Sequence, residues 1–326
     1  MNADLDSAAR RGAEVLAKFC GQVRQDDRAL IVTDQSTEEV GRYIFNAASR
    51  LTSTVKWMKT KQQSMHGSEP PEAIAKDMLN SDIIFGATKF SMAHTKARKL
   101  AMDKGARYLS LPDYSIEQLA SPALDVDYVK WAKVGKKLEN LLASGQDIEI
   151  TTEKGTMLKL NYKGRQINLC PGFCPKRGTL GSPPDIEINV PPLEDKSNGL
   201  LIVDGSVPCA EVGVVEKDIM MKIRDGSIAE ISPATEQGRI LNEMFAKQGS
   251  AARVLAEFGI GLNPKAKLCG RMLEDEGCLG TIHLGFGSNA TIGGRNKANF
   301  HLDFVIRSPT VLLDGREIMK QGSLLV

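Results

Sequence analysis

The sequence predicts an α/β domain with a Rossmann-like parallel sheet over residues 1–145, followed by an α+β metal-binding domain over residues 146–326. Three observations carry this reading. In the first part, short apolar strands alternate with helical patterns, the texture of a parallel sheet with crossover helices. Beyond Gly145 the pattern changes to alternating strands with few helices, as in an antiparallel sheet with one solvated face. The second part also places His283, His301 and Asp303 in two apolar strand-like runs joined through a glycine turn.

Taken in order, Arg28–Thr33 reads as a buried strand, and Ser36-Thr37-Glu38-Glu39 caps a helix reaching about Leu51. Thr54–Met58 is a second strand. Pro71–Ala75 opens a short helix, and Ser81–Gly86 is a third strand. A helix over Met92–Lys104 stops at Gly105, and Arg107–Leu111 gives a fourth strand. A helix over Asp125–Ser144 leads out of this domain. The strand-to-helix turns carry neither G-x-G-x-x-G nor G-x-x-x-x-G-K-[ST], so dinucleotide or nucleoside triphosphate binding has no motif support. In the second domain Ile148–Thr152 and Thr156–Tyr162 are strands about a Lys154-Gly155 turn. Strands at Gly199–Val203, Gly213–Ile223 and Ser227–Ser232 follow, then a helix over Pro233–Gln248 and a short one near Ala251–Glu257.

Composition narrows the class further. A chain of 326 residues suits two domains, and 42% hydrophobic with 25% charged residues is the balance of a soluble globular protein. The net charge of +2, from 42 basic and 40 acidic residues, gives no global attraction to nucleic acid or anionic membrane. No apolar run approaches the roughly 20 residues that span a bilayer. Met1–Asp6 is acidic and unlike a secretory signal, so the expected location is cytoplasmic. The six cysteines are scattered and read as free thiols. Cys170 and Cys174 form the one close pair. A zinc site completed by Cys269 and Cys278 lacks knuckle-like spacing, and inert thiols are the better reading.

The chemistry concentrates in the second domain. Side chains at i and i+2 of a strand share a face, so His301 and Asp303 project together. An imidazole and a carboxylate converging from an apolar sheet suggest a divalent-metal site. The alternative is a core histidine hydrogen-bonded to an aspartate, and His283 in the partner run tips the balance toward metal. Glu187 and Glu257 stand between apolar residues, where an ionised carboxylate needs a cation or a hydrogen-bond partner. By composition alone Glu257 reads better as the last polar residue of a helix, and Glu274-Asp275-Glu276 as solvated surface. Gly293-Gly294 suits a turn between the two histidine strands.

Four segments share a further likeness: Pro184–Glu194 with Ser197-Asn198-Gly199, Leu255–Gly261, Gly280–Gly287 and Asn299–Asp303. Together they resemble the aminopeptidase T family of thermophilic-type metallo-aminopeptidases. The resemblance implies Glu187, Glu257, His283, His301 and Asp303 as metal ligands, with two divalent ions per chain (Zn, Co or Mn). It also implies a homodimer acting on a small molecule or short peptide; the charge balance and the lack of a spanning apolar run point to no nucleic-acid or membrane partner. A related branch of that superfamily contains ring-cleaving dioxygenases that act on dihydroxypyridines with one Fe(II), and this chain resembles them in size and in its His-x-Asp pair. The peptidase tyrosine that follows the first histidine is missing from Gly287–Thr291.

The expected function is therefore a metal-dependent hydrolase of aminopeptidase type, in which two ions activate water against an amide bond. Asp303 is the expected bridging ligand, and Glu257 a ligand or the catalytic base. Asn289 or Arg295 is the expected oxyanion donor in place of the tyrosine. The alternative is a mononuclear non-haem Fe(II) ring-cleaving dioxygenase acting on a dihydroxypyridine-like aromatic. Retention of both glutamates favours the hydrolase, because five ligands suit two ions better than one.

Overall fold

The structure, a computed structural model, describes residues 3–326. Met1 and Asn2, the start of the N-terminal stretch read above, lie outside the described residues. Two compact units form: residues up to Tyr128 together with Pro171–Pro184, and Val129–Cys170 together with Asp185–Val326. The sequence boundary at residue 145 followed the change in texture, whereas the units divide at the start of the preceding helix. That helix packs on second-unit side chains. A Cβ on its Gly135 would come within 2.4 Å of Leu169 and 3.2 Å of Leu262.

The first unit begins with α1 (Ala3–Glu14), which widens into a π-helical turn over Val15–Cys20. Next come β1 (Arg28–Thr33), α2 (Glu38–Ala48), β2 (Thr54–Lys59), α3 (Glu72–Leu79) and β3 (Ile83–Ala87). α4 (Lys96–Asp103), β4 (Arg107–Ser110) and α5 (Ile116–Leu119) follow, and α6 (Tyr128–Ala143) leads into the second unit. There β5 (Asp147–Thr151), β6 (Met157–Asn161) and β7 (Asn168–Cys170) form before the chain returns to the first unit to add β8 (Leu180–Gly181). The first-unit sheet is parallel, in the order β2-β1-β3-β4-β8. β1 and β3 are apolar throughout their interiors because both faces are covered, and Leu30, Val32, Ile84, Met78 and Tyr108 share one core.

The sheet edge shows how a strand-to-helix turn is built here without a glycine-rich motif. Asp34, rather than Ser36, caps the turn leading to α2, and its Oδ1 accepts from the Ser36 amide at 3.0 Å. Its Oδ2 accepts from the Lys89 amide at 2.7 Å. One carboxylate thereby ties together the carboxyl ends of β1 and β3, the switch point where a parallel sheet of this kind would bind a ligand.

In the second unit the chain continues through β9 (Glu187–Val190), β10 (Asn198–Val203), β11 (Ser206–Val207), β12 (Gly213–Val214), β13 (Ile219–Arg224) and β14 (Ser227–Ile231). α7 (Glu236–Ala246), β15 (Leu255–Gly261), α8 (Met272–Glu276), β16 (Thr281–Gly287) and β17 (His301–Arg307) follow. β18 (Thr310–Leu313), β19 (Arg316–Lys320) and β20 (Ser323–Leu324) end the chain. One antiparallel sheet runs β14-β13-β10-β6-β5-β18-β19-β20, another β12-β11-β17-β16-β15-β9-β7. The apolar C-terminal residues dock on their own chain, with Leu324 paired to Met319 and the Leu325 amide on the Ile318 carbonyl at 3.0 Å.

The β17-β16-β15-β9-β7 region has two unlike faces. Phe258, Leu284 and Phe304 are aligned across three strands, as are Ile260, Ile282 and Ile306, and all are buried. These rows make the apolar core, closed by the edge-to-face pair of Phe286 and Phe304. On the opposite face every neighbouring row carries a polar group beside a glycine. Glu187 lies opposite Gly261, His283 opposite Gly259, Gly285 between Glu257 and Asp303, and His301 opposite Gly287. Glycine in a strand interior usually weakens it. Here it clears the volume that the polar side chains occupy.

Candidate metal centre

The register of these strands gathers all five sequence-predicted residues. His301 Nε2 lies 3.3 Å from Asp303 Oδ1 and 3.3 Å from Glu257 Oε2. His283 Nε2 lies 2.9 Å from Glu187 Oε2 and 3.7 Å from Glu257 Oε1. Two ligand groups result, Glu187–Glu257–His283 and Glu257–His301–Asp303, each with ligand atoms mutually within 4.8 Å. Glu257 belongs to both. Its carboxylate, on β15, faces both imidazoles, whereas Asp303 on β17 belongs to the His301 group alone.

The two groups differ in access. Glu187, Glu257 and His283 are buried, while the His301 side chain remains 32% exposed. The His301 ring is oriented from behind by a 2.9 Å contact of Nδ1 with the Ser288 carbonyl. With Nδ1–H donating there, Nε2 is left as the ligand atom. Glu187 is oriented in turn, its Oε1 accepting from Asn189 Nδ2 at 2.6 Å. Asn168 Nδ2 donates to Asn189 Oδ1 and to the Ile292 carbonyl, both at 3.0 Å. The loop between the two histidine strands is thus tied to the glutamate.

Electrostatics set the protonation pattern. Burial disfavours charge on His283 and His301, but the facing carboxylates outweigh it and raise both imidazoles well above their usual value. Burial raises Glu257, yet the two imidazoles win and hold it down near 2. One imidazole with two carboxylates suits a divalent ion such as zinc, iron or manganese. The cradle fits as well: a Cβ on Gly259 would meet His283 Nε2 at 1.9 Å, and one on Gly285 would meet Asp303 Oδ1 at 2.7 Å.

Three local expectations are corrected. Glu257 does not end a helix, because Leu255–Gly261 is a fully buried strand paired on both sides. Its helix-favouring Leu-Ala-Glu start is overridden by that pairing. The acidic triplet is not solvated surface. Glu274 and Asp275 are buried, and Asp275 accepts from the Cys269 and Gly270 amides at 2.7 and 2.9 Å. Asn289 is buried and donates to Glu194, which also accepts from the Arg295 backbone amide, so the Asn289 side chain is committed to shaping the loop. Cys170, Asp185, Asn168, Asn189 and Glu276 were not anticipated around the site. The alternation Asp185-x-Glu187-x-Asn189 was the available signal for two of them.

The family model for 2,5-dihydroxypyridine 5,6-dioxygenase, NicX, matches residues 14–326. The 2,5-dihydroxypyridine 5,6-dioxygenase of Pseudomonas putida KT2440 is 24% identical over 144 residues. That alignment spans 41% of this chain and only 41% of the relative's own length. Among solved structures, the 2,5-dihydroxypyridine dioxygenase of the same organism superposes with a TM-score of 0.83 at 18% identity, covering 98% of this chain and 97% of that one. Wild-type AmpT from Thermus thermophilus superposes at 0.67 with 14% identity, covering 98% and 100%. At such identities the two superpositions speak to fold alone. The expected hydrolase, aminopeptidase and metalloprotease reading is overturned by the family match, which extends over nearly the whole chain and is to a dioxygenase.

Proposed function

The chain belongs to the NicX, or 2,5-dihydroxypyridine 5,6-dioxygenase, family, and on that premise we propose that it is a mononuclear non-haem Fe(II) dioxygenase opening the ring of a dihydroxypyridine-like aromatic. The observation that carries this reading is the family match over residues 14–326. The donor set is compatible with it. Glu257, His301 and Asp303 would hold the iron, since theirs is the group with a solvent-reachable imidazole and a substrate needs open positions beside the ligands. The ion would supply a redox centre at which dioxygen and the hydroxylated ring meet.

The remaining steps fall to the protein's own groups. The Ser288 carbonyl fixes the His301 tautomer and keeps Nε2 directed inward. Glu257 is read as a ligand rather than a water-orienting base. On its buried side His283 Nε2 lies at ion-pair distance from its second oxygen, 3.7 Å from Oε1, and is itself held by Glu187 at 2.9 Å. The apolar rows beneath the site keep bulk water from that side.

The test is direct. Protein freed of metal is loaded anaerobically with Fe(II), its iron content measured, and 2,5-dihydroxypyridine added in air-saturated buffer. Loss of the aromatic ultraviolet band with one dioxygen consumed per ring supports the reading. Iron-loaded protein that consumes no dioxygen with this ring or its hydroxylated analogues defeats it.

A further inference from the structure

The polar face continues beyond the five residues. Cys170 on β7 stands directly opposite Glu187 on β9. Its Sγ, one oxygen of Asp185 and one of Glu187 lie within 4.8 Å of one another. Asp185 is only 3% exposed, and its Oδ1 has no hydrogen-bond partner among the described residues. Glu276 at the end of α8 likewise carries a buried oxygen, Oε1, with no partner among the described residues. The two segments are pressed together. A Cβ on Gly277 would meet Asp185 Cα at 2.9 Å and its Oδ1 at 3.0 Å.

We propose that Cys170, Asp185 and Glu187, with Glu276 beside them, form a second divalent-cation site of zinc type, separate from the Glu257–His301–Asp303 group. The donor set argues for that class of ion. An all-oxygen set would suit magnesium or calcium, whereas a thiolate among carboxylates selects a borderline-soft ion. Both carboxylates are nearly fully buried and the cysteine is half-buried, which suits a structural ion better than one that binds substrate. Such an ion would join β7, β9 and the end of α8, and would fix the far side of Glu187. The inference does not depend on ring cleavage: the inner ion is read from metal content and sulfur ligation, whatever the enzyme turns over.

The full chain, stripped with a chelator and dialysed against Co(II) alone, provides the test. The expected result is two ions per chain and a near-ultraviolet thiolate-to-cobalt absorption. Cys170→Ser should remove that absorption and one ion, and His301→Ala should keep the absorption while losing the other ion. Wild-type protein that binds two ions with no thiolate absorption, or whose absorption survives Cys170→Ser, overturns the proposal, as does binding of a single ion without sulfur. Should Cys170→Ser fail to fold, zinc X-ray absorption on the wild type decides. A sulfur shell at about 2.3 Å supports the site, and a shell of nitrogen and oxygen alone refutes it.

Discussion

Gly285→Ala is the most discriminating single change. Gly285 touches no solvent and donates no ligand, yet it lies between Glu257 and Asp303 on the neighbouring strands. The new methyl would sit 2.7 Å from Asp303 Oδ1 and 2.8 Å from His301 Cε1 and Nε2. To regain ordinary contact near 3.4 Å the two side chains must move by roughly 0.6–0.7 Å, several times the ~0.2 Å latitude of a metal–ligand distance. We therefore expect divalent-ion affinity at this group to fall about 100-fold or more, equivalent to about 2.7 kcal/mol. The fold should suffer far less. His301 can swing toward solvent, and alanine at a glycine without positive φ recovers about 0.4–1 kcal/mol of chain entropy. A loss of about 1 kcal/mol, or roughly 2–4 °C in melting temperature, is the expected net. Competition with a chromophoric chelator gives the affinity, and calorimetry of the metal-free protein gives the stability. A variant that binds metal within threefold of wild type would refute the placement of the ion on this face.

Further outcomes follow from the same geometry. Gly259→Ala drives a methyl to 1.9 Å from the His283 ring, which is 1% exposed and cannot swing away, so unfolding should cost about 3 kcal/mol less. Gly249→Ala, with nothing within 4 Å, should change denaturant stability by less than about 0.5 kcal/mol. Glu257→Gln should lower bound iron and cut dioxygen uptake by ~10²-fold or more, since one carboxylate serves both imidazoles; normal iron content and turnover would remove it from the ligand set. Burial raises Asp82, but Arg28 and Arg177 prevail and hold it at about 2, below its ordinary 3.8. A depressed carboxylate stabilises above its unfolded value, so about 1 kcal/mol, discounted for the exposed arginines, should be lost as pH falls from about 4 to 2, and Asp82→Asn should flatten that acid limb. We also propose a homodimer: light scattering at micromolar concentration should give twice the 35.4 kDa chain mass, and truncation after Gln321 should not change it because the tail pairs with β19. A monomer mass would end that proposal.

The sequence was most legible where local signals and burial agree. Arg28–Thr33 and Arg107–Ser110 are continuous runs bounded by turns, and the strands form within a residue of the expected limits. The His-x-Asp spacing needed only the period of a strand, and the two side chains meet at 3.3 Å. What stayed hidden depends on pairing across long separations. Leu180–Gly181 is too short for any periodicity, yet it completes the parallel sheet beside β4. Glu257 sits in a helix-favouring string that becomes a strand because β9 and β16 flank it. The glycines opposite each polar residue are ordinary in sequence and acquire meaning only once the register is known. Cys170 looked like half of a thiol pair with Cys174, whereas its neighbours are carboxylates from β9 and the residues just before it.

That late fifth strand also constrains the order of events during synthesis. When the ribosome has released β4, the first unit still lacks its edge partner, which is encoded some seventy residues downstream, beyond α6 and three strands of the other unit. At typical elongation rates of ~5–20 residues per second, the amide and carbonyl groups of Arg107–Ser110 wait roughly 4–15 s for Leu180–Gly181. An uncovered parallel edge is a template for pairing with another chain. A gene fragment stopped at Gly145 would make that interval permanent, and it should yield a protein that associates edge to edge.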